Sequence, residues 1–126
     1  MTSLTLTVLP QRLAISQLAP DENPPIWVFA QSFWSVTRTP QELSMVAPEA
    51  AFPPEWKIEG GWRALQVRGP LDFTLTGILS SISQPLADAG IPIFALSTYD
   101  TDFILVKEDQ LEDASTVLVR NGFVIE

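Results

Sequence analysis

The sequence predicts an α+β fold, and three observations support this prediction. Residues 62–126 read as strand, helix, strand, strand, helix and strand, which is the order of a βαββαβ unit. Residues 1–50 read as short strands separated by turns rich in Pro, Asp and Asn. A hydrophobic content of 46% over 126 residues is enough to form a buried core.

The first half begins with two predicted strands. Leu4, Leu6 and Val8 alternate with threonines, which is the period of a strand, and Pro10 is expected to end it. A second strand is expected around Leu13, so the pair is predicted to form a hairpin. Residues 26–31 then fit one or two helical turns, and alternation predicts strands over residues 33–37 and 43–46.

A connector is predicted over residues 47–56. It contains Pro48, Pro53 and Pro54, and proline removes backbone donors and fixes φ. We therefore predict an abbreviated unit over residues 1–55 and a complete unit over residues 56–126.

The complete unit starts with a strand in which Leu65 and Val67 face inward. A helix follows, with Asp72 or Thr74 as its expected N-cap and Gly90 at its C-terminal end. The helix is predicted from apolar residues at helical spacing, namely Leu75, Ile78, Leu79, Ile82 and Leu86.

Two apolar runs, over residues 91–96 and 103–106, read as buried strands. A second helix ends at Asn121-Gly122, before a last strand over residues 123–125. Both apolar runs are hydrophobic on each face, whereas the two helices can cover one face only. The other face is expected to pack on the first half or on a second subunit, and we predict a homodimer.

Charge and composition exclude several classes of function. The formal net charge is −8, with seven basic residues, whereas nucleic acids and anionic membranes attract cationic patches. No apolar run approaches the roughly 20 residues that span a bilayer, and the N-terminus does not read as a signal peptide. Cysteine is absent, which fits a reducing, cytoplasmic setting.

Histidine is absent as well, which narrows the chemistry further. The common zinc and copper sites need these ligands, and so do the Ser-His and Cys-His nucleophile pairs. Besides carboxylates, Lys57 and Lys107 are the remaining candidates for a base. A carboxylate site for magnesium or calcium stays open, but no metal site is assigned. We therefore predict that the protein is not an enzyme and uses no cofactor.

Two turns of the complete unit carry a cluster of polar groups. One is Gly69-Pro70-Leu71-Asp72-Phe73, and the other is Ser97-Thr98-Tyr99-Asp100-Thr101-Asp102. They offer backbone amides, hydroxyls and carboxylates, but no nucleophile beside a base. This chemistry indicates a site that holds a small polar molecule without transforming it. The ordinary alternative is a structural turn, because glycine, aspartate and threonine are common there.

The same two stretches resemble the ACT domain family. The run from Ser97 to Val106 and the turn from Gly69 to Phe73 are similar to the ACT domains of the cytosolic arginine sensor of eukaryotes. Residues 33–44 resemble the opening unit of that group. Aspartate kinases carry related units beside a catalytic domain, which has no counterpart in these 126 residues. The resemblance implies two tandem ferredoxin-like (βαββαβ) ACT units, the first abbreviated.

In that family, ACT units pair side by side and bind free amino acids at the shared interface. The resemblance therefore implies an amino acid held between ACT units, with Ser35 and Val36 as further candidates on the paired unit. The residues that it assigns to the ligand are Gly69, Pro70, Leu71, Asp72, Phe73, Thr98, Tyr99 and Asp102.

The leading hypothesis is a non-catalytic regulatory module that binds an amino acid and shifts an equilibrium between two arrangements. The alternative is a protein-interaction scaffold whose ligand pocket is vestigial. A scaffold has no need for Thr98 and Asp102 to face a cavity, so the polar cluster separates the two hypotheses. The sequence leaves the identity of the ligand and of any downstream partner open.

Overall fold

The computed structural model describes residues 4–69 and 76–126. The chain divides into two compact units, which we name by their contents. The helical unit comprises Met1–Pro10 and Arg63–Glu126, and the aromatic unit comprises Gln11–Trp62.

This spatial division differs from the predicted boundary between residues 55 and 56. Strands β1 (Thr5–Leu18) and β4 (Glu59–Val67) each contribute residues to both units. The N-terminal end of the chain therefore clusters with the C-terminal half, because strand pairing joins segments that are distant in sequence. The division at residues 55 and 56 stays a prediction about sequence modules.

The helical unit has the predicted βαββαβ order, and the α+β fold is confirmed. Among the described residues, no helix is both long enough and apolar enough to span a bilayer. After β4, the elements in chain order are α1 (Ile78–Asp88), β5 (Phe94–Ser97), β6 (Asp102–Lys107), α2 (Leu111–Arg120) and β7 (Val124–Ile125).

The strand order within the helical unit is β7-β1-β4-β6-β5. β5 and β6 form an antiparallel pair that ends with Ser97 opposite Asp102. β7 pairs in parallel with β1, where Thr5 lies opposite Val124. The first strand of the chain thus lies between the first and last strands of the βαββαβ unit, a position that no sequence pattern predicted.

Both α-helices end in a glycine with positive φ, as predicted. Gly90 follows α1 with φ of 75°, and the Ile91 N–H donates to the Leu86 carbonyl at 2.9 Å. Gly122 after α2 shows the same pattern, which is the Schellman motif. Ile91 is therefore part of the helix end, and β5 starts at Phe94 rather than at residue 91 as predicted.

Helix α1 begins later than predicted. It starts at Ile78, its N-cap is Gly77 with φ of 77°, and no side chain caps it. The predicted caps, Asp72 and Thr74, lie outside the described residues and do not occupy the N-cap position. Glycine adopts this left-handed conformation without the steric cost that a side chain adds.

β1 is one continuous strand, and the predicted hairpin at Pro10 is wrong. Proline fixes φ at a value that extended chain accepts, so it removes a donor without forcing a turn. Within β1, Leu6 pairs with β7 and Leu13 pairs with β3 (Leu43–Pro48). Pro10 lies between these two ladders, where its missing N–H breaks neither of them.

The aromatic unit contains strands and short 3₁₀ helices. β2 (Ser35–Arg38) and β3 are antiparallel, which confirms the two short strands predicted there. The predicted helical turns form a 3₁₀ helix over Ile26–Ala30, and a second 3₁₀ helix spans Glu49–Ala51. The buried residues of its core are Ala14, Val28, Met45, Ala47 and Phe52.

The core of the helical unit lies between the sheet and the two α-helices. It combines Leu65, Val67, Ile104 and Val106 from strands with Ile82, Leu86, Ala114 and Leu118 from helices. Phe103 and Leu105, on the opposite face of β6, are also buried. Both faces of β6 are therefore buried within one chain, so its apolar pattern alone does not require a second subunit.

Candidate functional site

A four-residue loop over residues 98–101 joins β5 to β6 and carries two of the predicted site residues. The Thr98 N–H donates to the Thr101 carbonyl at 2.8 Å, and the Thr101 N–H donates to the Thr98 hydroxyl at 3.4 Å. These bonds close the loop and leave Tyr99 and Asp100 at its tip. Thr98 thus has the structural role of a turn residue in addition to its predicted place at the site.

Asp102, the third predicted site residue of this hairpin, is the first residue of β6. The Ser97 hydroxyl donates to Oδ1 of Asp102 at 2.6 Å across the antiparallel pair. A cross-strand bond of this kind orients the carboxylate. Asp102 is half-buried, so the oriented carboxylate keeps access to solvent.

Thr101 joins the hairpin to the other predicted turn. Its side chain is 6% exposed, and its hydroxyl donates to the backbone carbonyl of Val67, the last residue of β4. Gly69, where the other turn begins, follows Val67 by two residues. The structure therefore holds the hairpin to the end of β4, two residues before Gly69.

The turn after β4 is described only at its start. Gly69 is exposed, as a residue that a ligand approaches must be. Pro70, Leu71, Asp72 and Phe73 lie outside the described residues, so their part in the site stays a prediction.

The tip of the hairpin is open to solvent. Tyr99 is 80% exposed, so its ring is not part of the core. Asp100 beside it is exposed as well. Aromatic faces and carboxylates both attract cations, so the tip is suited to a positively charged group.

Charges near the end of β4 reinforce this preference. Arg68 pairs with Glu126, and the Arg68 N–H donates to the Thr5 carbonyl at 2.8 Å. The guanidinium of Arg68 is thus already matched by a carboxylate, whereas the hairpin adds Asp100 and Asp102. The described part of the site is more negative than positive, which favours an amino or guanidinium group in a ligand.

The hydroxyls of the hairpin hold it together rather than form a catalytic arrangement. Those of Ser97, Thr98 and Thr101 donate to a carboxylate and to two backbone carbonyls. The common Ser-His arrangement is excluded, because the chain has no histidine. Within residues 4–69 and 76–126, no cluster of three carboxylates is arranged to hold a metal ion.

Ser97 and Thr101 were predicted as part of the polar turn, but not among the residues assigned to the ligand. The sequence did carry a signal for Thr101. Thr101, Phe103 and Leu105 alternate along the chain, so Thr101 is expected on the same buried face as the two apolar residues. Ser97 has no comparable signal, since its contact with Asp102 depends on the register of β5 against β6. Ser35 and Val36, the further candidates, are half-buried on β2, and a role for them stays a prediction.

Comparison with known protein families gives two matches along the chain. The family model of the ACT domain matches residues 57–120. A second model, for the N-terminal domain of a protein family, matches residues 11–55.

Curated relatives include a sensor protein. The chain is 29% identical to subunit 1 of the cytosolic arginine sensor for mTORC1 from Bos taurus, over 93% of this chain. It is 37% identical to the putative human protein CASTOR3P over 63% of this chain. The chain spans 42% of the length of the bovine sensor and 56% of that of the human protein.

Solved structures have the same fold. A crystal structure of a protein from Agobacterium tumefaciens is 33% identical, with a TM-score of 0.92 over 100% of this chain and 94% of that chain. The regulatory subunit of aspartate kinase from Thermus thermophilus aligns with a TM-score of 0.60 at 13% identity, over 90% of this chain and 96% of that chain. The second likeness concerns the fold alone.

Proposed function

Because the chain belongs to the ACT domain family, we propose that it is a non-catalytic regulatory module that binds an amino acid. The ACT domain model matches residues 57–120, which carry most of the βαββαβ unit, and the proposal adds an abbreviated ACT unit before it. Similarity to a protein named as an arginine sensor supports a regulatory, ligand-binding role. The observation that carries the proposal is the polar hairpin, with its oriented Asp102, held next to the turn at Gly69.

The chemistry of the hairpin indicates which part of an amino acid it binds. The carboxylate of Asp102 is suited to an ammonium or guanidinium group, and Asp100 adds a second negative charge nearby. We therefore expect amino acids with a cationic side chain to bind more tightly than acidic ones. This preference agrees with the name of the sensor relative.

The proposed ligand lies between ACT units of a homodimer, and its binding shifts the equilibrium between two arrangements of them. The exposed ring of Tyr99, at the tip of the hairpin, supports an interface on this side of the helical unit. The proposed setting is the cytoplasm, since the sensor relative is named as cytosolic and the chain has no cysteine. Light scattering with and without ligand tests the homodimer, and a monomer under both conditions would remove it.

The decisive experiment is a thermal shift measurement against the twenty amino acids. A ligand that binds only the native state stabilises it by about 2.7 kcal/mol at a hundredfold excess over Kd. Asp102→Asn should weaken binding by about 1.5–3 kcal/mol, because it removes a charged hydrogen-bond acceptor. The matched control is Asp21→Asn, which makes the same change at an exposed residue of the aromatic unit.

The outcomes separate the proposal from its alternative. Stabilisation by at least one amino acid, reduced in Asp102→Asn and retained in Asp21→Asn, supports the binding module. No stabilisation by any of the twenty would leave the protein-interaction scaffold ahead. That alternative is favoured by one observation, the 80% exposure of Tyr99 on a hairpin whose loop is closed by its own backbone bond.

A further inference from the structure

Two polar side chains are buried among the described residues of the chain, Ser16 and Thr101. Burial of a hydroxyl is unfavourable unless it forms a hydrogen bond, and the Thr101 hydroxyl donates to the Val67 carbonyl. The two residues are 34 positions apart in the chain, so this bond connects two strands rather than neighbours in one turn.

The hydroxyl is not needed to close the loop. The backbone bond from the Thr98 N–H to the Thr101 carbonyl already does so at 2.8 Å. It is not needed to fill space either, because valine has nearly the same shape as threonine and lacks only the donor to the Val67 carbonyl. What the hydroxyl adds is a directed link from the hairpin to the end of β4.

This hydrogen bond connects residues that are close in sequence to two candidate site residues, Asp102 and Gly69. Asp102 follows Thr101 directly, and Gly69 follows Val67 by two residues. β6 is next to β4 in the sheet, and the bond continues their contact just before β6 begins. A hairpin without this bond is held less firmly to the end of β4, so the hairpin and the end of β4 open locally more often.

We infer that Thr101 is a positioning residue, whose buried hydroxyl sets the placement of the Asp102 carboxylate relative to the end of β4 at Val67. The consequence for ligand affinity rests on the proposed function, whereas the placement itself does not. A positioning role of this kind follows from geometry, since a binding site loses affinity when its groups are held less firmly.

The test compares wild type with Thr101→Val, which removes the hydroxyl but keeps the shape, and Thr101→Ser, which restores the hydroxyl. The control is Thr116→Val, because the exposed Thr116 hydroxyl also donates to a backbone carbonyl, that of Glu112 at 3.0 Å. The first measurement is amide hydrogen exchange by NMR, residue by residue. The second is calorimetric titration with L-arginine.

In Thr101→Val we expect exchange at the Thr98 and Arg68 amides to accelerate by about fivefold to tenfold, the effect of losing one hydrogen bond. The Leu118 amide, in the core of α2, should change by less than about twofold. Thr101→Ser should return both hairpin and β4 amides to the wild-type rate, and Thr116→Val should leave them unchanged. Affinity for L-arginine should fall by about tenfold in Thr101→Val and recover in Thr101→Ser.

Unchanged exchange at Thr98 and Arg68 in Thr101→Val would overturn the inference, and so would equal acceleration of every amide, including that of Leu118. If wild type does not bind L-arginine, the exchange data still decide the role of Thr101, and the twenty-amino-acid screen decides the proposed function. If wild type binds and Thr101→Val binds equally well, the inference fails while the proposed function stands.

Discussion

The helical unit buries its sheet under two α-helices, whereas the aromatic unit has 3₁₀ helices only and fills its core with large rings. Trp27 packs edge to face on Phe52 and on Trp56, with ring centroids 5.1 Å and 5.6 Å apart. All four tryptophans of the chain lie in this unit, while the single tyrosine lies in the helical unit. The strands are thus packed against aliphatic residues of α-helices in the helical unit and against aromatic side chains in the aromatic unit.

Proline explains why the aromatic unit lacks an α-helix. Proline inside a helix removes a backbone donor and clashes with the preceding turn, so closely spaced prolines leave little room for regular turns. The prolines of this unit are Pro20, Pro24, Pro25, Pro40, Pro48, Pro53 and Pro54. An aromatic ring buries a large area from a short segment, and so it replaces the surface that a helix would supply.

Polar contacts differ between the two units as well. In the aromatic unit, Oε1 of Glu49 accepts from the Gly61 N–H at 2.7 Å, and Oε2 lies 3.4 Å from Arg12. Both oxygens of the Glu49 carboxylate therefore interact with groups of the same unit. In the helical unit, the Asp102 carboxylate accepts from the Ser97 hydroxyl and remains accessible to solvent. Of these two carboxylates, that of Asp102 on the exposed hairpin is therefore the better candidate to bind a ligand.

The substitution with the largest expected effect on stability also tests whether the two units unfold together. Leu118→Ala, at a fully buried position of α2, should lower the free energy of unfolding by about 3 kcal/mol. Because β1 and β4 contribute to both units, helix loss by circular dichroism and tryptophan fluorescence should shift to the same denaturant midpoint. Val119→Ala, at the neighbouring residue that is 55% exposed, is the control and should have little effect. Separate midpoints would mean that the units unfold independently.

The next prediction concerns the Glu49 carboxylate of the aromatic unit. A Cβ at Gly60 would lie 2.1 Å from Oε1 of Glu49, so Gly60→Ala must displace that oxygen from Gly61. We expect a loss of about 1.5–3 kcal/mol of stability, the value of a hydrogen bond to a charged group. In a Glu49→Ala background the same substitution should cost almost nothing, since the obstacle and the bond are both gone. Equal losses in the two backgrounds, measured by denaturation, would show that the clash is not the cause.

A smaller effect concerns the end of α2 in the helical unit. Gly122 has φ of 90°, and a Cβ there would meet no atom within 4 Å. Gly122→Ala should therefore lower stability by about 1 kcal/mol through backbone conformation alone. Gly122→Asn should lose less, because asparagine tolerates the left-handed region better. A loss in Gly122→Asn as large as in Gly122→Ala would point to a cause other than the sign of φ.

The smallest expected effect on stability is that of Asp102→Asn. Asparagine keeps an oxygen that accepts from Ser97, and the residue lies at the edge of the core, so the melting temperature should change little. A change within about 0.5 kcal/mol is typical of such surface positions. A large loss of stability without a ligand effect would instead assign Asp102 to the turn structure.

Local patterns of the sequence were sufficient for much of the fold and for part of the site. The helical spacing up to Leu86, the glycines at 90 and 122, and the polar hairpin between two apolar strands are set by neighbours within a few residues. Such features depend on φ preferences and on periodicity, which the sequence displays directly. The membership of Thr98, Tyr99 and Asp102 in one hairpin was predictable for the same reason.

The sequence by itself determined the order of elements in the helical unit, the C-terminal ends of its two helices and the acidic character of the hairpin. Only the tertiary structure decided that β1 runs through Pro10, that it lies between β7 and β4, and that Thr101 bonds to Val67. These contacts join residues up to 120 positions apart, as between Leu4 and Val124. Pairing over such distances is selected by the burial of the whole core and not by any local preference, so no short pattern along the chain reports it.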